Sequence, residues 1–270
     1  MVVKLKIFSL IIFVFLIGFS SCNDYKKLMK STDYEKKYER AMQYYEKNDF
    51  ARAQTVFEEL RTIFRGTEKA ENVSYYYAKS TYGIGEYTLA GYLFKDFTRQ
   101  FRASSRAEEC QFLSAYCYYL LSPSISLEQI DTETSIAELQ YFIEKYPNSE
   151  KKAEAEKCLD ELQNKLELKA YNNAMLYHTI GDYKAAIVAL KNVSIDFPDT
   201  QHREKILFTI IEDSYLLAKN SIYSKQKERY KNTIDAYYKF VDNYPNSNKI
   251  KEAEKYYTNS LKFIESKYGQ

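Results

Sequence analysis

Four cysteines and two histidines are the side chains of this 270-residue chain best suited to nucleophilic or metal chemistry, and their spacing argues against both. His178 and His202 lie in different segments, and neither falls within a helical turn of a cysteine or of the other, so no imidazole has a ligand or catalytic neighbour. Cys110 and Cys117, seven residues apart on one helical pattern, would stand about 10 Å apart, too far to bridge. With Cys158 they make an odd set, expected as small apolar packing residues. No GxSxG elbow, Gly-rich phosphate loop or HExxH occurs. The pattern therefore predicts a protein that is not an enzyme, with no catalytic residue, metal, cofactor or small-molecule substrate.

Cys22 stands apart. It closes MVVKLKIFSLIIFVFLIGFSSC, which opens with Lys4 and Lys6 and continues with an apolar run from Ile7 to Phe19. About 13 residues at 1.5 Å each reach only about 20 Å, short of a hydrocarbon core of roughly 30 Å. Residues 1–21 therefore read as a signal peptide and not a membrane span. Ser20 and Ser21 before Cys22 resemble a bacterial lipobox, with Phe19 where many such boxes carry Leu. That resemblance implies a lipid-modified Cys22 as the first mature residue, anchored by acyl chains such as palmitate at about 0.8 kcal/mol per buried methylene. Residues 22–33, polar and lysine-rich, are expected as a short tether.

The composition excludes other classes. Removal of Lys4 and Lys6 from the 39 basic residues leaves 37, matched by 37 acidic ones. No single-sign field remains to recruit nucleic acid. Seven Gly, four Pro and no Trp favour long helices over short strands. Acidic pairs such as Glu58-Glu59 and Glu108-Glu109 are expected on solvated helix faces.

The elements show a repeat. Aligned on Phe64, Phe101, Tyr146, Phe197 and Tyr244, the positions four before are Leu60, Phe97, Phe142, Val193 and Phe240. Seven before stand Phe57, Phe94, Leu139, Leu190 and Tyr237, and eleven before stand the small Ala53, Ala90, Ser135, Ala186 and Thr233. Fourteen before, four of five are aromatic. These offsets lie on one face of an α-helix, with a small residue where another backbone can approach. Pro147, Pro198 and Pro245 end three copies. Ser149, Thr200 and Ser247, with Thr67 and Ser104 earlier, are placed to cap the next helix. Arg65 and Arg102 replace the proline in the first two copies and are expected to loosen the register there. Ala41, Ala78, Ala115 and Ala174 mark a preceding helix in four units, and the turns NDF, GEY and GDY join the pair in three of them.

Small residues at two crossing positions, aromatics between them and a closing proline resemble the tetratricopeptide repeat. The expected fold is all-α, a tetratricopeptide-repeat-like right-handed superhelix of about five helical hairpins over residues 34–267. By likeness to that repeat, the first helix of each hairpin lines a groove. In the first three units this places Tyr38, Met42, Tyr45, Tyr75, Lys79, Tyr82, Phe112, Tyr116 and Tyr119 along it, a wall suited to an extended peptide with aromatic side chains.

The lipobox, the repeats, YPNS at 146–149, FPDT at 197–200 and AEECQFLSAYCYYLLSP at 107–123 together resemble the BamD family of outer membrane β-barrel assembly lipoproteins. The resemblance implies a non-enzymatic scaffold on the periplasmic face of the cell outer membrane, lipid-anchored through Cys22. It also implies that C-terminal repeats bind the barrel-inserting subunit and that N-terminal repeats accept unfolded β-barrel precursors. The alternative is a tetratricopeptide lipoprotein that organises cell-wall or envelope division complexes. A carbohydrate-uptake lipoprotein is a weaker rival, since its aromatic platforms often include Trp and this chain has none. Cys22→Ala should leave the mature protein without acyl chains and in the soluble fraction; mass spectrometry that still finds acyl chains on the variant would contradict the lipidation reading.

Overall fold

The computed structural model describes residues 24–268. They divide into two compact units, one running to Pro123 and resuming over Gln129–Asp160, the other made of Ser124–Glu128 and the chain from Glu161 onward. Cys22 and the signal segment lie outside the described residues.

In the first unit, hairpins are built from α1 (Tyr34–Glu46) with α2 (Phe50–Ile63), α3 (Ala70–Gly83) with α4 (Tyr87–Gln100), and α5 (Ala107–Leu121) with α6 (Ile130–Lys145). The first residues of α7 (Lys152–Thr179) complete that unit, and the remainder of α7 opens the second with α8 (Tyr183–Asp196). A further hairpin of α9 (Arg203–Lys219) and α10 (Tyr223–Asn243) and a closing α11 (Ile250–Tyr268) follow. The chain is thus all-α, in the tetratricopeptide-like hairpins expected from the repeat.

The aligned face is the buried one. Ala53, Ala90, Ser135, Ala186 and Thr233 are each fully buried, as are Leu60, Phe142, Phe240, Phe57, Phe94, Leu139 and Leu190. Small side chains at the crossing allow close approach: a Cβ on Gly91 would sit 3.2 Å from that of Cys117, and Ser114 Oγ donates to Gly91 O at 2.9 Å. Ala41, Ala78, Ala115 and Ala174 are likewise buried on the first helices. In the last hairpin Ile211, fully buried, stands seven residues after Glu204, as Ala115 stands seven after Glu108.

The turns follow from backbone sterics. NDF, GEY and GDY each begin with a residue at positive φ, Asn48 at 58°, Gly85 at 82° and Gly181 at 81°. Glycine and asparagine are the residue types that adopt this region most readily. Asp49 and Asp182 then accept from the backbone N–H three residues on and start the second helix.

All five second helices end alike. The aromatic at the C-cap donates its N–H to the carbonyl four residues back, at 2.8 to 2.9 Å, in Phe64, Phe101, Tyr146, Phe197 and Tyr244. Its carbonyl accepts from Thr67, Ser104, Ser149, Thr200 or Ser247, three residues on, at 3.0 to 3.2 Å. Arg65 and Arg102 therefore loosen nothing: the hydrogen bonds close the turn whether or not proline follows. The hydroxyls also act one step earlier than expected. Each accepts from the backbone N–H two residues on, at Lys69, Arg106, Lys151, His202 and Lys249, the residue that directly precedes the next helix.

Four of these hydroxyls also donate to a glutamate on the preceding first helix: Ser104 to Glu71 (2.7 Å), Ser149 to Glu108, Thr200 to Glu167 and Ser247 to Glu204 (2.5 Å each). One side chain thus turns the linker and ties it to the neighbouring hairpin. Residues 24–30, read from their polarity as tether, are helical, and Leu28 is buried against the first hairpin with Tyr25 and Met29 beside it. Lys37, 1% exposed, holds that helix by donating to Met29 O at 2.9 Å while it pairs with Glu59.

Ser247→Ala should cost about 1 kcal/mol, the usual net value of such a hydrogen bond. Hydrogen exchange at the amides of residues 249–252 should speed up while the first unit is unchanged; equal protection in the variant would show that the latch carries no stability.

Candidate functional site

The nine residues expected to line a groove all fall in the first unit, on α1, α3 and α5, at spacings of four and three. That spacing keeps them on one face of each helix. The structure sorts them into two groups. Tyr75 and Phe112 are buried, at 9% and 2% exposure, and pack between helices: Tyr75 meets Phe97 at 6.0 Å and Phe112 meets Phe142 at 5.5 Å. Tyr38, Met42, Tyr45, Lys79, Tyr82, Tyr116 and Tyr119 are half-buried, each with one side toward solvent.

The half-buried rings are held at their inner edges. Tyr45 meets Phe50 at 5.5 Å and Tyr76 at 4.9 Å, both edge-on, and Tyr82 meets Tyr87 at 5.4 Å. Along α5, Phe112, Tyr116 and Tyr119 stack at 5.5 and 5.3 Å with planes within 24°. Such contacts fix ring orientation at about 1 kcal/mol per pair. Burial raises the phenol of Tyr82 to about 12 and also pushes that of Tyr45 above its ordinary value, so both remain protonated hydrogen-bond donors at neutral pH.

A charged cluster lies between α3 and α5. Glu109 accepts from Lys79 Nζ at 2.9 Å and from the Tyr75 hydroxyl at 2.8 Å. Burial opposes its ionisation, yet these two donors hold Glu109 below the usual carboxylate range. The guanidinium of Arg106 covers the Tyr75 ring at 4.5 Å and donates to Asn72 at 2.6 Å. Lys151 lies over Phe112 at 5.4 Å. Tyr76, Arg106, Glu109 and Lys151 were not legible as part of this face. The doublet Glu108-Glu109 resembled solvated surface, whereas Glu108 takes Ser149 and Glu109 takes Lys79. Glu59, in the other doublet, takes the buried Lys37.

The two histidines and the cysteines at 110, 117 and 158 are engaged within the fold. His178 Nδ1 lies 2.7 Å from Asp213 Oδ1 across α7 and α9, and Asp213 is fully buried. His202 stacks on Tyr171 at 4.1 Å. Cys110, Cys117 and Cys158 are buried, and burial pushes the thiols of Cys110 and Cys117 up to about 12, which makes them inert as nucleophiles. Among the described residues no cluster of His, Cys, Asp and Glu could hold a metal, and no helix is long and apolar enough to cross a membrane.

A model of the family described as YfiO, outer membrane lipoprotein, matches residues 30–228, which includes the whole aromatic face. The chain belongs to this family of outer membrane lipoproteins. Membership places it among lipoproteins and not among enzymes. It is 23% identical over 230 residues to the "Putative outer membrane protein assembly factor BamD" of Aquifex aeolicus, covering 84% of this chain and 73% of that one. It is 27% identical over 116 residues to the outer membrane protein assembly factor BamD of Caulobacter vibrioides, covering 43% of this chain and 38% of that protein. Among solved structures, the TPR domain of P58(IPK) aligns at a TM-score of 0.42 and 14% identity, over 90% of this chain and 69% of that one. The TPR2AB domain of yeast Sti1 aligns at 0.38 and 16%, over 84% and 98%.

Asp213 Oδ2 has no hydrogen-bond partner among the described residues, so His178 is its principal compensation. Burial raises the Asp213 carboxyl above its ordinary 3.8, and His178 works against that rise. His178→Ala should cost about 1–3 kcal/mol at neutral pH, the penalty of an uncompensated buried group. A raised carboxyl favours the protonated form in the fold, so this deficit should shrink as pH falls toward 3.8. Urea melts of the variant and of Asp213→Asn across that range check the sign.

Proposed function

We propose that the chain is a scaffold lipoprotein of outer membrane β-barrel protein assembly, held at the periplasmic face of the outer membrane by acyl chains on Cys22. In this reading repeats of the second unit bind the barrel-inserting subunit, and the aromatic face of the first unit receives unfolded β-barrel precursors. Family membership and the names of the Aquifex and Caulobacter relatives support the assembly role.

The observation that carries the precursor reading is the file of half-buried rings on the first helices of three successive hairpins: Tyr45, Tyr82, Tyr116 and Tyr119. Rings fixed at their inner edges lose little further rotamer freedom on binding, so their outer faces can cover an apolar side chain at low entropic cost. Protonated phenols beside them supply donors for the carbonyls of an extended strand, whose backbone has no internal partners. Tyr75 and Phe112 contribute from beneath, as the packing on which the outer rings rest.

Tyr82→Ala combined with Tyr116→Ala should reduce crosslinking of an extended peptide ending in Phe at least about ten-fold, or about 1.4 kcal/mol, with far-UV helicity retained. Crosslinking that survives in the folded variant would remove the precursor face from the proposal. Affinity purification from detergent-solubilised envelopes tests the assembly role separately, by whether a barrel-inserting subunit co-purifies.

A further inference from the structure

The second unit carries a groove unrelated to the aromatic face. It is a cavity of ≈ 530 Å³ whose walls are α8 and α10 and whose floor is α9. Leu207, Ile210 and Leu217 form the floor, and Ile187 and Ala236 close its sides. Val188 and Ile195, at 55% and 74% exposure, stand on the α8 wall as large apolar side chains left to solvent.

The rim is basic. Lys184, Lys191, Arg203, Arg229 and Lys239 surround the cavity, with Asp235 the single acid of its lining. None of the five cations pairs with a carboxylate among the described residues; Arg203 donates to Pro198 O at 2.8 Å and Arg229 to the Ser221 hydroxyl. A chain otherwise balanced in charge therefore concentrates unpaired positive charge around one apolar trough.

The groove also has a direction. Its lining recurs at spacings of three and four along α8, α9 and α10, so the trough runs parallel to the helices. Leu207 to Leu217 spans ten residues, about 15 Å. An extended strand laid there would need partners for its own backbone, and the lining offers few: Ser194 is already bonded to Leu190 O, and Ser214 is buried. A helix satisfies its own backbone and needs only an apolar stripe for the floor and carboxylates for the rim.

We propose that this groove docks an acidic amphipathic helix of a protein partner, about three turns long, with its apolar stripe on Leu207, Ile210 and Leu217 and its flanking carboxylates against Lys191 and Arg229. The inference rests on the second unit alone and does not depend on the partner's place in barrel assembly.

The probe is a fluorescent peptide of about 14 residues with leucines at helical i, i+3, i+4 and i+7 spacing and glutamates on either side. Anisotropy titration against the full chain should show binding that weakens at least about ten-fold when lysines replace the glutamates, and that falls with added salt. Lys191→Glu, at an exposed position, combined with Arg229→Glu, at a half-buried one, should lower affinity for the glutamate peptide by a similar factor with helicity unchanged. A central proline in the peptide should abolish binding. Equal affinity for the glutamate and lysine peptides, or no effect of the double variant, would overturn the proposal. Undiminished binding of the proline peptide would overturn the helical occupant in favour of an extended one. Binding of phosphatidylglycerol vesicles that depends on the same two cations, without peptide binding, would assign the groove to a membrane surface instead.

Discussion

A single helical hairpin with a wide apolar face cannot bury that face by itself, and the structure depends on this constraint. Phe57, Phe94 and Leu190 are completely buried because the next hairpin lies against them, and that hairpin can come near because alanine occupies the crossing position of each of these helices, Ala53, Ala90 and Ala186. Burial of one such side chain contributes about 1.5–3 kcal/mol. No unit could keep that contribution alone, so the order of hairpins along the chain is also their order in each stack.

Polar groups then set the register that apolar contacts leave loose. Hydrophobic burial is non-directional, whereas the hydroxyls of Ser104, Ser149, Thr200 and Ser247 each accept from one backbone N–H and donate to one glutamate. The acid stands in the first turn of its helix at Glu71, Glu108 and Glu204, where the helix dipole favours a negative charge. A linker tied in this way has few conformations, and the outer faces of the helices inherit that rigidity.

Rigidity links the packing to the candidate docking faces. In the first unit Tyr75 and Phe112 are committed to the interior and hold the rings of Tyr76 and Tyr116 from behind, and Tyr76 in turn meets Tyr45. The Glu109 cluster neutralises the polar atoms between two hairpins and leaves Tyr82 half-buried. The second unit presents something different, an apolar trough with unpaired cations. Two surfaces of unlike chemistry on one chain suit a scaffold with more than one polypeptide partner.

The aligned offsets, the closing aromatic and the residues N-D, G-E and G-D were enough to locate hairpins and their buried face, because helix period and positive φ are local properties of the chain. The aromatic character of α1, α3 and α5 was legible for the same reason. Which of those rings turn inward was not: Tyr75 and Tyr82 are alike in sequence and both lean on α4, but Glu109 of α5 and the preceding Arg106 close over Tyr75 and leave Tyr82 half-buried. The same holds for Glu109, whose carboxylate is indistinguishable in sequence from a solvated one until α3 brings Lys79 and Tyr75 to it. Lys37 and Asp213, charged residues buried by neighbours distant in sequence, and the basic trough over α9 are likewise products of tertiary packing. The sequence by itself determined the periodicity and the turns, since these depend on residues within one or two helical turns. Only the tertiary structure decided which polar and aromatic side chains face one another, since that depends on hairpins that recur 37 to 51 residues apart meeting within each unit.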